Sequence, residues 1–325
     1  MTDGKEGMAV NKTEDFTIGV IGSGTMGLGV ATHFIMHGHR VHLFTRAKET
    51  LKKARKQVEE NLRSMQELGV IDETTTNAAG QLISYYTDMK AAVSDVDMVI
   101  ENVLESEEVK KTTFAQLDAF CRKDAILASN TSSLNIYDFL EVSNRDRLVI
   151  THFFVPAYVM PLVEIVRGPE TSDETVEVVR KLMASTGKNP AVVNKVVPGF
   201  IMNRLTFAIF REAAYMVSQG WCRPEDVDAA VVSTHGPRYA FEGPFGLVDF
   251  AGVDTYEKIA EHLLPELCSD GAVPPVLKNL YDQGKLGVKT GEGFYAYEDN
   301  VQARARRDEK IVKMIQAIGS VNRTC

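Results

Sequence analysis

The chain has 325 residues, of which 44% are hydrophobic and 25% charged, and a formal net charge of −8. This composition is typical of a folded globular protein, and the length favours two domains of about 100–200 residues each. The acidic balance argues against a nucleic-acid partner, and no apolar run approaches the roughly 18 residues needed to cross a bilayer, so no membrane partner is expected.

The cysteines and the first residues predict the compartment. Cys121, Cys222, Cys268 and Cys325 are scattered, without the paired spacing of a zinc site or a disulfide framework. The polar segment 1–16 has neither the apolar core of a signal peptide nor an Arg-rich amphipathic pattern. A reducing, cytoplasmic location is therefore expected.

From Phe16 to about Val196, short apolar runs alternate with longer amphipathic stretches. The strand-like runs are rich in valine and isoleucine: FTIGVIG, RVHLFT, VDMVIENV, AILASN, RLVITHFF, LVEIV and AVVNKV. The stretches between them, such as AKETLKKARKQVEENLRSMQEL and SEEVKKTTFAQLDAF, have the pattern of helices. This alternation predicts βαβ units and an α/β fold with a doubly wound sheet in residues 1–196.

The pattern changes after Pro198 and Gly199. GFIMNRLTFAIFREAAYMVSQG has apolar residues at helical spacing and ends at Gly220, a residue that commonly ends helices. RPEDVDAAVV begins with a proline and acids, which favour a helix N-terminus, and the last stretch is typical of a charged helix with a frayed end. Residues 197–325 are therefore predicted to form an all-α C-terminal domain.

The motif VIGSGTMG follows the first predicted strand and begins a helix. Gly22 permits a tight turn, Gly24 lets a pyrophosphate approach the backbone, and Gly27 allows close packing of helix and strand. The N–H groups and dipole at the helix start, around Thr25 and Met26, would then bind the phosphates. A tight turn without a ligand is the alternative, but the position of the motif favours a Rossmann-type dinucleotide site.

The end of the second strand predicts which nucleotide binds. An Asp or Glu about 20 residues past the glycines would bind the ribose hydroxyls of NAD, but Thr45 and Arg46 are found here. Without a carboxylate a 2′-phosphate is not repelled, and the guanidinium can bind it. The cofactor is expected to be NAD or NADP, with NADP favoured. The alternative is that Arg46 is a solvated charge and Thr45 accommodates NAD.

Two further polar groups have competing interpretations. Asn130, Ser132 and Ser133 follow another strand, at the edge where open α/β sheets bind ligands, although the hydroxyls alone are more typical of helix capping. His33 and His37 have the spacing of a metal-binding pair on a helix. Because no carboxylate accompanies them and a glycine follows, no metal site is predicted.

Six motifs occur in the order, and at nearly the spacing, of the 3-hydroxyacyl-CoA dehydrogenase family: GSGTMG, ASNTSSL, HFFVPAYVMPLVE, PGFIMNRL, GPFGLVDFAGVDT and KLGVKTGEGFYAY. The chain resembles this family over about residues 16–297. The superfamily also includes L-gulonate 3-dehydrogenase and lambda-crystallin, and PETSDETV and GPRYAFEGP look closer to that branch.

The resemblance implies roles for four residues around the reacting carbon. His152, in HFF, matches the general base, and Glu164, in LVE, matches the glutamate that orients and polarises it. Ser132 and Asn203 match residues that contact the reacting oxygen and the surroundings of the histidine. The chemistry fits, because histidine titrates near pH 6.5 and a carboxylate on its far nitrogen fixes the tautomer.

The resemblance also implies further cofactor contacts. Glu105 and Lys110 match residues that touch the nicotinamide ribose, and Lys289 matches a C-terminal lysine that reaches the cofactor. Asn130 is also expected to contact the cofactor. Three features depart from the family pattern. Val155 replaces its usual asparagine, and Asn61 and Leu68 replace the serine and lysine that contact the CoA nucleotide. The third departure is the pair Thr45 and Arg46 described above.

The expected activity is hydride transfer between a nicotinamide cofactor and the 3-hydroxy or 3-keto group of an acyl thioester. Because the CoA-contacting lysine is absent, a free 3-hydroxy acid is the alternative substrate. The resemblance further implies a homodimer formed through the helical domain. A non-catalytic, crystallin-like structural protein is the alternative from another functional class.

Overall fold

The computed structural model describes residues 15–321, so the polar N-terminal segment and the predicted frayed end lie largely outside the described residues. The chain divides into two compact units between Met202 and Asn203. The domain boundary expected from the sequence, after residue 196, lies shortly before this division.

An eight-stranded sheet forms the centre of the first unit. Its strands in chain order are β1 (Thr17–Ile21), β2 (Arg40–Phe44), β3 (Ile83–Tyr86), β4 (Met98–Glu101), β5 (Ile126–Ser129), β6 (Leu148–Phe153), β7 (Leu162–Arg167) and β8 (Asn189–Val193). Their spatial order is β3-β2-β1-β4-β5-β6-β7-β8, and neighbours are parallel except for the antiparallel pair β6 and β7. The chain reverses its direction of strand addition between β1 and β4, which is the switch point of a doubly wound sheet. The predicted fold class is confirmed.

Helices pack on the sheet of the first unit. They are α1 (Thr25–Met36), α2 (Lys48–Glu67), α3 (Glu73–Gln81), α4 (Met89–Val93), α5 (Glu107–Phe120) and α6 (Asp173–Ser185). Every residue of β1, β4, β5 and β6 is buried, as expected for strands covered on both faces. The short edge strand β3 was not predicted, because its sequence ISYY has no continuous apolar run. In the structure this strand is only partly buried.

The second unit is built from helices. They are α7 (Met202–Ser218), α8 (Pro224–Tyr239), α9 (Pro244–Ala251), α10 (Val253–Leu263), α11 (Pro275–Asp282) and α12 (Asn300–Val321). Gly220, predicted to end the first of them, has a φ of 71°, the left-handed conformation common after helices. The predicted all-α C-terminal domain is confirmed. Among the helices of residues 15–321, none has the length and apolar character needed to span a membrane.

Candidate active site

The glycine-rich turn between β1 and α1 has the geometry of a phosphate-binding loop. Gly22 adopts a φ of 103°, and a Cβ on Gly27 would lie 1.9 Å from the carbonyl oxygen of Gly22. At Gly24, by contrast, a Cβ would meet no described atom within 4 Å, and no side chain caps the start of α1. The turn therefore fits the pyrophosphate of a dinucleotide: two glycines are required by the fold, and the third leaves open space beside uncapped N–H groups.

A cavity of about 1020 Å³ lies at the carboxyl ends of β1 and β2. Phe44 and Phe120 contribute apolar walls. The charged residues of the wall carry both signs: Arg46, Lys90, Asp88 and Glu108. Its size and its place beside the glycine turn fit the nucleoside half of a dinucleotide. The cavity and the phosphate-binding turn could therefore hold neighbouring parts of the same dinucleotide.

Thr45 is buried and has an internal partner. Its Oγ1 accepts a hydrogen bond of 3.0 Å from Ser23 Oγ in the glycine turn. Thr45 therefore links the end of β2 to the phosphate-binding loop. Ser23, which the sequence did not single out, is found only because the fold brings the two segments together.

Glu105 organises the turn that contains Ser132. Its Oε1 accepts hydrogen bonds from Thr131 Oγ1 at 2.5 Å and from the N–H groups of Ser132 at 3.0 Å and Ser133 at 3.3 Å. Burial alone would raise the pKa of Glu105, but these bonds and the nearby Lys110 ammonium outweigh it, and the pKa is lowered. The serines therefore face an ionised carboxylate and do not cap a helix, contrary to the interpretation that the hydroxyls alone favoured.

Lys110 is buried behind Glu105. Its Nζ lies 2.9 Å from both carboxylate oxygens of Glu101 and 3.2 Å from Glu105 Oε2. Glu101 is itself fully buried and accepts a hydrogen bond of 2.6 Å from Ser129 Oγ. The Lys110 side chain has an exposed fraction of only 1%, so its predicted contact with the nicotinamide ribose remains a prediction.

Asn130 bridges the ends of three strands. Its Nδ2 donates to Asn102 Oδ1 at 2.8 Å, and its Oδ1 accepts from the N–H of Phe153 at 2.8 Å. The side chain thereby ties the end of β5 to the residue after β4 and to the end of β6. In the structure it supports the sheet edge on which His152 lies, and its predicted contact with the cofactor stays a prediction.

His152 and Glu164 meet across two neighbouring strands. They are direct register partners in the antiparallel pair β6 and β7, and His152 Nδ1 lies 2.7 Å from Glu164 Oε2. The other oxygen, Oε1, accepts hydrogen bonds from the N–H groups of Ile201 at 2.9 Å and Met202 at 2.8 Å. The pair lies where β6 ends, at the same edge as the Ser132 turn, which follows the parallel neighbour β5.

The electrostatics of the pair define the histidine tautomer. Burial alone would raise the pKa of Glu164, but the hydrogen bonds from His152, Met202 and Ile201 outweigh it and lower the pKa. An ionised carboxylate only accepts hydrogen bonds, so Nδ1 of the histidine carries the proton. In a neutral imidazole, Nε2 then has the free lone pair and is the atom that can accept a proton.

The remaining predicted residues belong to the second unit. Asn203 lies in the first turn of α7, and Lys289 is an exposed residue in the turn that precedes Gly291. Their predicted roles toward substrate and cofactor stay predictions. Within residues 15–321, no group of three or more histidine, cysteine, aspartate or glutamate side chains is placed to bind a metal ion.

Two family models match the chain in succession. The model described as 3-hydroxyacyl-CoA dehydrogenase, NAD binding domain, matches residues 17–196. The model described as 3-hydroxyacyl-CoA dehydrogenase, C-terminal domain, matches residues 199–297. These matches span both units of the structure.

Curated relatives and solved structures extend the comparison. The Mesorhizobium japonicum enzyme named 5-formyl-3-hydroxy-2-methylpyridine 4-carboxylate 5-dehydrogenase is 33% identical over 299 residues, covering 92% of this chain and 96% of that protein. Human mitochondrial hydroxyacyl-coenzyme A dehydrogenase is 37% identical over 288 residues, covering 86% and 90%.

Among solved structures, the pyridine carboxylate 5-dehydrogenase, described as an NAD⁺-dependent dismutase, superposes with a TM-score of 0.85 at 31% identity, covering 94% of this chain and 99% of its own. The 3-hydroxybutyryl-CoA dehydrogenase of Escherichia coli K12 gives a TM-score of 0.73 at 35% identity, covering 87% of this chain and 60% of its own.

Proposed function

The chain belongs to the 3-hydroxyacyl-CoA dehydrogenase family of NAD-dependent oxidoreductases acting on CH–OH groups, and we propose that His152 and Glu164 perform the proton transfer of that reaction here. The observation that supports this role is the 2.7 Å contact between His152 Nδ1 and Glu164 Oε2. It leaves Nε2 as the proton acceptor and fixes the plane of the ring.

The proposed chemistry divides between cofactor and protein. The bound nicotinamide supplies the acceptor for the hydride that leaves C3 of the substrate. His152 Nε2 takes the hydroxyl proton as the hydride leaves, and Glu164 stabilises the imidazolium that forms. The rings of Phe154 and Phe200, with centroids 4.5 and 5.6 Å from that of His152, limit water around the imidazole. Ser132, held by Glu105, would donate to the reacting oxygen.

The leading substrate class is a 3-hydroxyacyl thioester, oxidised to the 3-keto compound or formed from it in reverse. The two family models and the human and E. coli relatives, which are named for acyl-CoA substrates, support this class. The matching regions include the glycine turn, the Ser132 turn and the His152–Glu164 pair.

A free 3-hydroxy acid is the second candidate substrate. Asn61, at the place of a CoA-contacting serine, is buried and donates to Thr32 Oγ1 at 3.1 Å, and Leu68 replaces the CoA-contacting lysine. The relative that superposes with a TM-score of 0.85 is named for a pyridine carboxylate. Both observations support a small carboxylate as this second candidate.

The experiment that tests the function is a matrix of cofactors and substrates. Wild-type protein is assayed with NAD and NADP against acetoacetyl-CoA, 3-hydroxyacyl-CoA and free 3-hydroxy acids. We expect turnover that falls by about 10²–10⁴-fold in a His152→Ala variant, the range that one general base contributes. His262→Ala, at an exposed position on α10, is the matched control. Undiminished turnover in His152→Ala would reject the proposed role.

The preference between NAD and NADP is a finer proposal. The family model is that of an NAD-binding domain, and the comparisons give no support to a preference for NADP. Arg46, which follows the end of β2 on the wall of the nucleotide cavity, supports acceptance of a 2′-phosphate in addition, although Asp88 and Glu108 lie on the same wall. We therefore propose NAD as the principal cofactor, with NADP as the form that Arg46 would allow.

We also propose that the protein is a homodimer formed through its helical unit. Large apolar side chains of this unit are strongly exposed, with exposed fractions of 88% for Phe245, 85% for Phe250, 66% for Phe207 and 63% for Trp221. Apolar surface on this scale is typical of protein interfaces. Sedimentation equilibrium should give twice the chain mass, and a monomer at micromolar concentration would contradict the proposal.

A reducing, cytoplasmic location is proposed as well. Within residues 15–321, Cys121, Cys222 and Cys268 are free thiols. Free thiols are typical of proteins kept in a reducing compartment. Fractionation of cells that produce the protein tests this assignment.

A further inference from the structure

The connection between β6 and β7, residues 154–161, joins the strand of His152 to the strand of Glu164. It folds into a compact turn, in which the N–H groups of Val159 and Met160 both donate to the carbonyl of Pro156 at 3.0 and 2.9 Å. Ala157 at its centre is buried, with an exposed fraction of 2%. We call this segment the β6–β7 loop. Its conformation influences how the end of β6, which bears His152, and the start of β7, which bears Glu164, are placed.

A buried lysine holds the β6–β7 loop from one side. Lys188, just before β8, has an exposed fraction of 5%, and its Nζ donates to the carbonyls of Ala157 at 2.5 Å and Met160 at 2.7 Å. The same Nζ lies 5.9 Å from the ring centroid of Phe153, the residue next to His152. An amine is seldom buried unless its hydrogens are bonded, and here the loop carbonyls are its partners.

The cofactor-binding helix holds the loop from the other side. Gly29, on α1, lies so close that a Cβ there would be 3.1 Å from the Cβ of Ala157. His33, also on α1, lies with its Nε2 2.9 Å from Thr186 Oγ1, in the corner that leads to Lys188. The β6–β7 loop is therefore enclosed by the helix that begins at the phosphate-binding turn and by the lysine that precedes β8.

We infer that Lys188 is a positioning residue, which fixes the β6–β7 loop against α1 and so aligns the His152–Glu164 pair with the cofactor-binding turn. This inference rests on the function proposed above. It assigns a role to a residue that touches neither His152 nor Glu164. Small displacements of a reacting group are costly in catalysis, because a shift of about 1 Å can reduce the rate by about 10²-fold.

The protonation state of Lys188 should make catalysis depend on pH. Burial lowers the pKa of its amine to about 7, and the titratable groups that face it, His33 and His37 on and just after α1, have pKa values that burial also lowers. Both forms of the amine keep the two hydrogens that the carbonyls need, but the ammonium donates more strongly. Catalysis should therefore weaken as the pH rises through an ionisation near 7 that belongs to Lys188.

The test compares Lys188→Met, which fills similar space without a donor, with Lys188→Gln, which restores an N–H₂ group. Lys181→Met, on the exposed side of α6, is the matched control. The readouts are the single-turnover hydride-transfer rate from pH 5.5 to 9, cofactor affinity, thermal unfolding, and hydrogen exchange of the amides of Val159 and Met160. These amides report the loop directly.

We expect Lys188→Met to be folded, to lose exchange protection at Val159 and Met160, and to transfer hydride about 10–100-fold more slowly. The ionisation near neutrality that belongs to Lys188 should disappear. Lys188→Gln should recover part of the rate and of the protection, and Lys181→Met should match wild type.

Unchanged rates and exchange in a folded Lys188→Met protein would overturn the inference, as would a Gln variant no better than the Met variant. If Lys188→Met does not fold, Lys188→Gln decides alone: intermediate protection and rate support the inference, and wild-type values reject it. If wild-type protein turns over no substrate, the proposed function fails, whereas the exchange measurement still decides whether Lys188 holds the loop.

Discussion

Glu164 lies directly opposite His152 across the antiparallel pair β6–β7, and its carboxylate is shared between the imidazole and the backbone. Oε2 lies 2.7 Å from His152 Nδ1, while Oε1 accepts from the N–H groups of Ile201 and Met202. The strand register sets the distance, and the backbone donors prevent the carboxylate from rotating. The backbone at the start of α7 therefore helps to orient the proposed base.

Replacing Glu164 by glutamine should slow the reaction without removing the side chain. The amide keeps the size but loses the charge that stabilises an imidazolium, so kcat should fall by about 10²-fold or more. The pH dependence of kcat/KM for wild type and Glu164→Gln checks this. A variant with wild-type kcat would show that the carboxylate has no part in proton transfer.

The same carboxylate should make stability depend on acid. The pKa of Glu164 is lowered in the folded state from an ordinary value of 4.5. Its contribution to stability is therefore present above that ordinary value and is lost as the pH falls through the lower, folded-state pKa. Thermal unfolding of wild type should lose stability in this acid window, and the loss should be smaller in Glu164→Gln. Parallel curves for the two proteins would contradict the assignment.

Two glycines of the cofactor turn should respond differently to alanine. In Gly27→Ala the new Cβ would lie 1.9 Å from the Gly22 carbonyl oxygen, so we expect a loss of stability of about 3 kcal/mol or more. In Gly24→Ala the methyl group meets no described atom within 4 Å, so the fold should be unaffected while the Kd for NAD rises by roughly tenfold or more. Thermal unfolding and cofactor titration check both. An unchanged Kd for NAD in Gly24→Ala would contradict the proposed role of Gly24.

Tyr137 should stabilise the strand pair that bears the proposed active site. Its hydroxyl donates to the carbonyl of Val166 at 2.6 Å and accepts from the N–H of Ile150 at 3.1 Å, two residues that are register partners in β6 and β7. Tyr137→Phe removes both bonds and leaves buried backbone groups unpaired, at a cost of about 1–3 kcal/mol. Chemical denaturation measures this loss. Tyr281→Phe, at an exposed position, should be neutral.

Arg46 should affect the use of NADP and leave that of NAD unchanged. If its guanidinium binds a 2′-phosphate, Arg46→Ala should raise the KM for NADP by about 10–100-fold, as expected for the loss of a charged hydrogen bond. The KM values of both cofactors, with Arg63→Ala on α2 as the control, measure the effect. Equal changes in the KM for NAD and the KM for NADP would show that Arg46 does not bind the 2′-phosphate.

Much of the fold followed from local sequence. The glycine turn, the buried strands and the helical second unit have signals within about 20 residues, because periodicity and turn chemistry act over that range. The edge strand β3 lacked such a signal. Its sequence ISYY is partly exposed, and it is a strand because it pairs with β2, as in Val41↔Ile83.

The residue types available for the chemistry can be found in the sequence alone: a histidine and a glutamate twelve positions apart, a serine turn and a glycine-rich loop. Which of these groups meet depends on the folded arrangement of distant segments. The fold pairs His152 with Glu164 through strand register and buries Lys110 between Glu101 and Glu105. It also brings Lys188 against a loop about 30 positions earlier in the chain. Hydrogen bonds between distant segments depend on how the whole chain packs, and no short window of sequence contains that information.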